Sequence, residues 1–117
     1  MVKNWANDED RRQFRVMMSL MGRFLAIWPE TTVQQVQIFS WIALNEGRTQ
    51  RDLRAALDLP SSSASRNIAL LSKLHRLGKP GMSLIEWVDD PEDRRAKLLQ
   101  LTQKGHSLVA NILDDLR

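Results

Sequence analysis

The stretch Asp90-Pro91-Glu92-Asp93-Arg94-Arg95-Ala96-Lys97-Leu98-Leu99-Gln100-Leu101-Thr102-Gln103-Lys104-Gly105 sets a charged turn, an apolar strand and a helix start one after another. Pro91 among acids cannot continue a strand, so Asp89 to Asp93 reads as a polar turn. Lys97 to Leu101 then pairs back as the second strand of a hairpin. Its partner is Ser83 to Val88, rich in Ile, Trp and Val. Thr102 caps a final helix carrying Leu108, Val109, Ile112, Leu113 and Leu116.

Upstream of the hairpin the pattern is helical. From Glu9 to Trp28 the residues Phe14, Met17, Met18, Met21, Phe24, Leu25 and Trp28 recur at three- and four-residue steps, a single apolar stripe that Pro29 terminates. Thr31 or Thr32 caps a second helix through Asn45, apolar around most of its circumference and therefore central. Gly47 stops it. Thr49 with Asp52 forms a capping-box start for a short third helix, which turns Leu53, Ala56 and Leu57 inward. Pro60 and Ser61 to Ser63 make a turn and cap, and a fourth helix runs to about Leu77 before Gly78. The order is α-α-α-α-β-β-α, about five helices with a small β-hairpin.

Composition narrows the functional classes. A chain of 117 residues, 43% hydrophobic and 26% charged, fits one ordinary globular domain over residues 1–117. No segment has the length and apolarity of a membrane span, and the acidic start Asn7 to Asp10 does not read as a secretory signal, so the expected location is cytoplasmic. Without cysteine there are no thiolate nucleophiles, disulfides or Cys-based metal sites, and His75 and His106 are the only imidazoles. The net charge of +3 is concentrated. From Glu46 to Lys79, seven basic residues face three acidic ones, a local +4. Such a segment suits a polyanion, because each neutralised phosphate releases counterions; a solvated helix face accounts for the charge equally well.

Projecting the fourth helix at 100° per residue separates two faces. Ala64, Ile68, Leu71 and Leu74 make the core side. Ser62, Arg66, Ala69 and Lys73 lie opposite, with Ser65 and Arg76 on the flank. Small polar residues near a helix start, followed by arginine, let a backbone approach a DNA groove and bond base edges or phosphates; an ordinary amphipathic surface helix shares the pattern. At the hairpin turn the acids would repel DNA, but Arg94 and Arg95 stand beside them, and carboxylates can orient guanidinium groups toward phosphate or a narrow minor groove. A surface cluster of salt bridges of little energy is the plainer account.

These segments together resemble the MarR family of winged helix-turn-helix regulators. The hairpin and helix start match the family's wing, Asp-x-Arg followed by Leu-Thr-x-x-Gly. Thr49-Gln50-Arg51-Asp52-Leu53 resembles its third helix, and Ser62-Ser63-Ala64-Ser65-Arg66 the start of its recognition helix. The resemblance covers roughly residues 30 to 105. It implies a DNA-binding winged helix over 30–102 and dimerisation helices at 1–29 and 103–117. It places Ser62, Ser63, Ser65 and Arg66 at the major groove, Arg95 in the minor groove and Asp93 as the positioner of Arg95. Thr49, Gln50, Arg51, Ser61, Ala69, Lys73 and Arg94 complete the expected DNA face. Family members carry longer terminal helices and often bind small effectors in the crevice beneath them. With the chain stopping at Arg117, a small-molecule effector is a weaker expectation. The segment Gly78-Lys79-Pro80-Gly81-Met82 is longer than the usual link from recognition helix to wing, with a possible shift of the wing's angle.

The functional expectation is a homodimeric transcriptional regulator, a repressor on a pseudo-palindromic operator, associated with a prokaryotic nucleoid. The alternative is a winged-helix interaction module that docks on polymerase or replication machinery through the acidic turn; use of the same DNA contacts in replication or packaging also stays open. No catalytic residue, cofactor or metal site is expected. No nucleophile is paired with a base, and the acidic turn lacks the spacing and glycine of a calcium loop. His75 reads as a packed histidine and His106 as an exposed one near a helix start.

Overall fold

The computed structural model describes residues 7–73 and 78–117. Among them run α1 (Asp8–Ile27), α2 (Val33–Leu44), β1 (Arg48–Thr49), α3 (Gln50–Leu57), α4 (Ser61–Leu71), β2 (Ile85–Asp89), β3 (Lys97–Leu101) and α5 (Gln103–Leu116). The expected mainly helical winged helix-turn-helix is present. The sheet has one strand more than the hairpin alone, in the order β1-β3-β2 and antiparallel throughout. Two residues after Gly47 are enough for β1: Arg48 pairs with Leu99 and Thr49 with Leu98, and the Gly47 N–H donates to the Leu99 carbonyl at 2.9 Å. A strand of two residues leaves no alternation to read in sequence.

Local chemistry sets the helix starts. The Asn7 side chain accepts from the Asp10 N–H, and Asp8, Glu9 and Asp10 fill the first turn of α1, where the helix dipole favours negative charge. Thr32 caps α2 in a reciprocal box with Gln35, and Thr49 caps α3 in one with Asp52. The Thr49 backbone N–H bonded to Asp52, then the Thr49 hydroxyl, hold that carboxyl below its ordinary pKa, helped by Arg48 and Arg51. Helix α4 differs from expectation at both ends. Its N-cap is Pro60, with no side-chain cap, so the three serines lie inside the helix. It ends at Leu71, and Ser72 is extended. Leu74, His75, Arg76 and Leu77, expected on this helix, lie outside the described residues.

One core joins the layers. Phe24 of α1 meets Phe39 of α2 edge to face, with ring centroids 5.5 Å apart. Ile38 and Ile42 of α2, Leu53 of α3, Ala64, Ile68 and Leu71 of α4, and Leu99 and Leu101 of β3 are fully or almost fully buried around them. Ala56 is exposed, contrary to the inward face read for α3, and Val33 and Leu44 leave the two ends of α2 open. Helix α1 contributes only Phe24 as a buried residue. At 20 residues it is about 30 Å long. It draws the chain out to 58 × 27 × 26 Å, with a radius of gyration of 16.4 Å, against about 13 Å for a compact chain of this length. Arg23 pairs bidentately with Asp115, tying α1 to α5; the guanidinium hydrogen bond holds the Asp115 carboxyl below its ordinary pKa. Among the described residues no helix is long and apolar enough to cross a membrane.

The link after α4 folds back onto the helix end. Met82, Leu84, Ser83 and Gly81 donate their N–H groups to the carbonyls of Leu70, Leu71, Ser72 and Lys73 respectively, at 2.8 to 3.0 Å. The Leu84 carbonyl accepts from Thr102 N–H at 3.1 Å, and Thr102 accepts from Gly105 N–H to start α5. This close passage demands glycine. A Cβ on Gly105 would lie 2.2 Å from the Leu84 oxygen, and one on Gly81 2.2 Å from the Ser72 oxygen. Gly105→Ala is therefore expected to destabilise the fold by about 1 to 3 kcal/mol in chemical denaturation. Gly22→Ala on open α1, with nothing within 4 Å, is expected to stabilise by up to about 1 kcal/mol. Equal midpoints for Gly105→Ala and the wild type would refute the steric account.

Candidate nucleic-acid interface

Helices α3 and α4 are joined by a turn with no glycine. Asp58 takes the left-handed conformation at φ 53°, and Leu59 N–H donates to the Arg54 carbonyl at 3.1 Å. The Arg54 guanidinium also reaches the Leu59 carbonyl at 3.3 Å, so one of the seven basic residues in the +4 segment holds the turn. Beyond the turn, Ala64, Ile68 and Leu71 bury one side of α4, as the helical projection requires. Ser61, Ser62, Ser65, Arg66 and Lys73 are exposed, and Ala69 is half-buried. Among the described residues the Arg66 guanidinium has no protein partner.

The serines divide by what they touch. Ser63 turns toward α2, where its hydroxyl donates to Gln34 at 3.2 Å. The Ser65 hydroxyl accepts from Gln50 Nε2 of α3 at 2.9 Å. Ser61 and Ser62 occupy the first turn, and Pro60 gives the opening backbone N–H groups of α4 no side-chain cap. An uncapped helix start with its positive dipole end can receive an anionic oxygen. Arg51 is exposed at the start of α3, with Thr49 and Gln50 half-buried beside it.

The wing tip is a stitched turn. Asp90 N–H donates to the Ala96 carbonyl at 3.2 Å, and Ala96 N–H to the Asp93 carbonyl at 3.0 Å. The Asp90 carboxylate accepts from Glu92 N–H at 2.9 Å, and that of Asp93 from Arg95 N–H at 3.0 Å. Asp89 lies 3.7 Å from Lys97 across the strands. Asp93 thus bonds the backbone of Arg95; the anticipated bond to its guanidinium is not made. Arg94 and Arg95 are exposed, and among the described residues neither guanidinium has a hydrogen-bond or ion-pair partner. Both lie in the turn between β2 and β3, so strand alternation does not set their directions.

Other expected features resolve simply. His106 is exposed, as read, and approaches Glu46 with Nε2 to Oε1 at 3.2 Å; the same Glu46 oxygen accepts Leu101 N–H at 2.8 Å. Among the described residues no group of three or more His, Asp or Glu side chains could hold a metal ion. A crevice between α1 and α2 is lined by Met21, Phe24, Leu25, Thr31, Thr32 and Val36. The sequence reading missed Asn67, buried at the centre of amide contacts from α2. Its burial beside Ala64 and Ile68 follows from the same projection, but its partners lie more than 30 residues away in sequence.

With this geometry in view, residues 31–74 match the model of the MarR family. No curated protein sequence matches the chain. Among solved structures the chain is similar to MarR, at 22% identity over 93% of this chain and 75% of that one, with a TM-score of 0.62. It is similar to MepR of S. aureus in a DNA complex, at 23% identity over 94% and 86%, with a TM-score of 0.65. The transcriptional repressor CouR, bound to a 23-mer DNA duplex, is 22% identical over 92% and 68%, with a TM-score of 0.62. The fold is a winged helix of the MarR type.

The wing geometry has a direct test. Asp93→Ala removes the acceptor of the Arg95 amide, so that amide is expected to exchange with solvent roughly fivefold faster or more, while the β3 amides keep their protection. Unchanged exchange at Arg95 would show that the carboxylate does not hold the turn.

Proposed function

We propose that this chain is a sequence-specific regulator of transcription that binds double-stranded DNA, a repressor acting as a homodimer on a pseudo-palindromic operator in the cytoplasm, and that it performs no catalysis. The observation that carries the reading is one face of α4. Its helix start is free of a side-chain cap, with Ser61, Ser62, Ser65 and Arg66 exposed on it, and at the wing tip stand two arginines without a partner among the described residues. In this reading α4 enters the major groove. The backbone of its first turn and Ser62 approach phosphate or base edges, Arg66 bonds a base edge, and Lys73 meets the sugar-phosphate chain. Thr49, Gln50 and Arg51 at the start of α3 flank the groove, with Ser65 and Ala69 filling the contact surface, while Ser63, bonded to Gln34, supports α4 from the α2 side. Arg95 enters the minor groove and Arg94 lies along its edge, on a turn stiffened by Asp93. That MepR and CouR, with the same fold, are described in complex with DNA supports the assignment.

Selection of bound sequences from a random duplex pool, followed by titration of the selected site at several salt concentrations, tests it. A palindrome with half-sites about one helical turn apart is expected, with affinity falling steeply as salt rises. Arg66→Ala should lose about 1 to 3 kcal/mol on the selected site and less on random duplex. Arg95→Ala should lose more than Arg94→Ala. Affinity independent of salt would overturn the reading. No loss from either wing arginine would favour the interaction-module alternative, in which the acidic turn docks on a protein. The internal use of Asp89, Asp90 and Asp93 within the hairpin weighs against that alternative.

The dimer is proposed to form through residues 1–29 and 103–117. Phe14 is 55% exposed and Met18 65%, both on α1, and Leu116 of α5 is 59% exposed. An apolar surface of that kind marks an interface. Sedimentation is expected to show a dimer at micromolar concentration, converted to monomer by Met18→Glu. A monomeric wild type would overturn this part.

A further inference from the structure

Apolar contacts hold α4 against the core, but they have no preferred direction along or around the helix axis. Ala64, Ile68 and Leu71 therefore fix how deeply α4 sits more firmly than how it is turned. The turn matters, because rotating a helix by about 20° moves a side-chain tip roughly 6 Å from its axis by about 2 Å, enough to break a base contact. Besides the exposed Ser63–Gln34 bond, the directional bonds between α4 and α2 belong to Asn67, which is 7% exposed, and Gln35, which is 5% exposed. Thr32 N–H donates to Gln35 Oε1 at 3.0 Å, and Gln35 Nε2 donates to Asn67 Oδ1 at 3.2 Å. Asn67 Nδ2 then donates to Gln34 Oε1 at 2.9 Å and to the Ser63 carbonyl at 3.0 Å. The N–H of Thr32 can only donate, so every amide along the chain has one permitted orientation.

We propose that Asn67, clamped between Gln35 and Gln34 of α2, is a positioning residue that sets the rotation of α4, so that discrimination between DNA sequences depends on a buried amide that touches no base. Asn67 follows Arg66 directly, so the bonds that hold Asn67 inward aim Arg66 outward 100° away around the helix. The relay starts at the cap of α2 and ends at Ser63, in the first turns of α4. It thereby links the two helix starts through the buried side chains of Gln35 and Asn67, where hydrogen bonds polarise one another and an unsatisfied partner is costly. This inference rests on the DNA-binding reading of α4.

The polarity of the relay supplies the test, because Gln34 serves only as an acceptor in it whereas Gln35 must donate. Gln34→Glu keeps the acceptor. Gln35→Glu keeps the α2 capping box, for which glutamate is a natural partner, but loses the donor to Asn67. Both add one negative charge at adjacent positions, so general repulsion from DNA is matched between them. Gln34→Leu, at an exposed position where folding is not at risk, removes the acceptor of Asn67 and Ser63 without charge. The measured quantity is the ratio of affinities for the selected and a random duplex at fixed salt, with thermal unfolding followed for each variant. The Asn67 side-chain amide protons are observed by NMR without DNA. Gln35→Glu and Gln34→Leu are expected to lower the ratio roughly five- to tenfold and to shift the Asn67 amide signals. Gln34→Glu is expected to leave the ratio at the wild-type value. A ratio unchanged in Gln34→Leu, or lowered as far by Gln34→Glu, would overturn the positioning role, the second result because it would make Gln34 a direct base contact. A wild type that binds all duplexes alike would instead overturn the DNA-recognition reading, whatever the NMR signals show.

Discussion

The last carbonyls of α4 have no partner within the helix, and a helix end that is buried, as at Leu71 and Ser72, cannot leave them bare. Satisfaction of the Leu70 and Leu71 carbonyls by the N–H groups of Met82 and Leu84, with Ser83 and Gly81 bonding the Ser72 and Lys73 carbonyls just beyond the helix, is the constraint on which the rest of the molecule depends. The returning segment becomes β2 immediately afterwards, so the helix end and the wing start are one hydrogen-bonded unit. Residues 81–84 make this return, and Met82 and Leu84 plug the core behind it. The Leu84 carbonyl faces the start of α5, and only a residue without a Cβ fits there. One short stretch thus ties α4, the sheet and α5 together.

Seen from that unit, the outward face has a common character. The basic groups offered to solvent on α4 and the wing tip are not engaged by carboxylates of the described chain, whereas nearby acids bind backbone N–H groups or cap helices. Asp52 caps α3, Asp90 and Asp93 stitch the wing turn, and Glu46 accepts from Leu101. Acidic residues close to a polyanion site need not oppose it when their charge is turned onto the protein's own amides. That accounts for Asp90 and Asp93 of the run Asp89 to Asp93 standing beside two arginines without pairing with them, while Asp89 faces Lys97 across the strands.

The two apolar systems have separate destinations. The residues of α2, α3, α4 and β3 close on one another and complete a core. The stripe of α1 does not: Phe24 enters the core, and Phe14, Met17, Met18 and Leu25 stay outside it. The same three- and four-residue spacing produced both outcomes. Periodicity reports that a helix has an apolar face, and only the position of neighbouring elements decides whether that face is already covered.

Sequence by itself determined the order of the helices and the hairpin, the capped starts at Thr49 and Thr102 with Thr32 as one of two candidates, the second hairpin strand at Lys97–Leu101 and the exposed placement of Arg66, Arg94 and Arg95. Each rests on interactions within a few residues, or on a period that one helix or strand displays alone. What tertiary structure decided lies at longer range. The two-residue β1 exists because β3 offers an edge to it. Helix α4 ends at Leu71, short of the reading to Leu77, because the strand-bound segment comes back to take its carbonyls. Arg54 is spent on a turn, Ser63 faces α2, and Asp93 holds a backbone amide in place of a guanidinium. Asn67 finds Gln34 and Gln35 across two helices. A polar side chain's partner is fixed by which groups the fold brings within about 3 Å, and no local pattern of residues carries that distance.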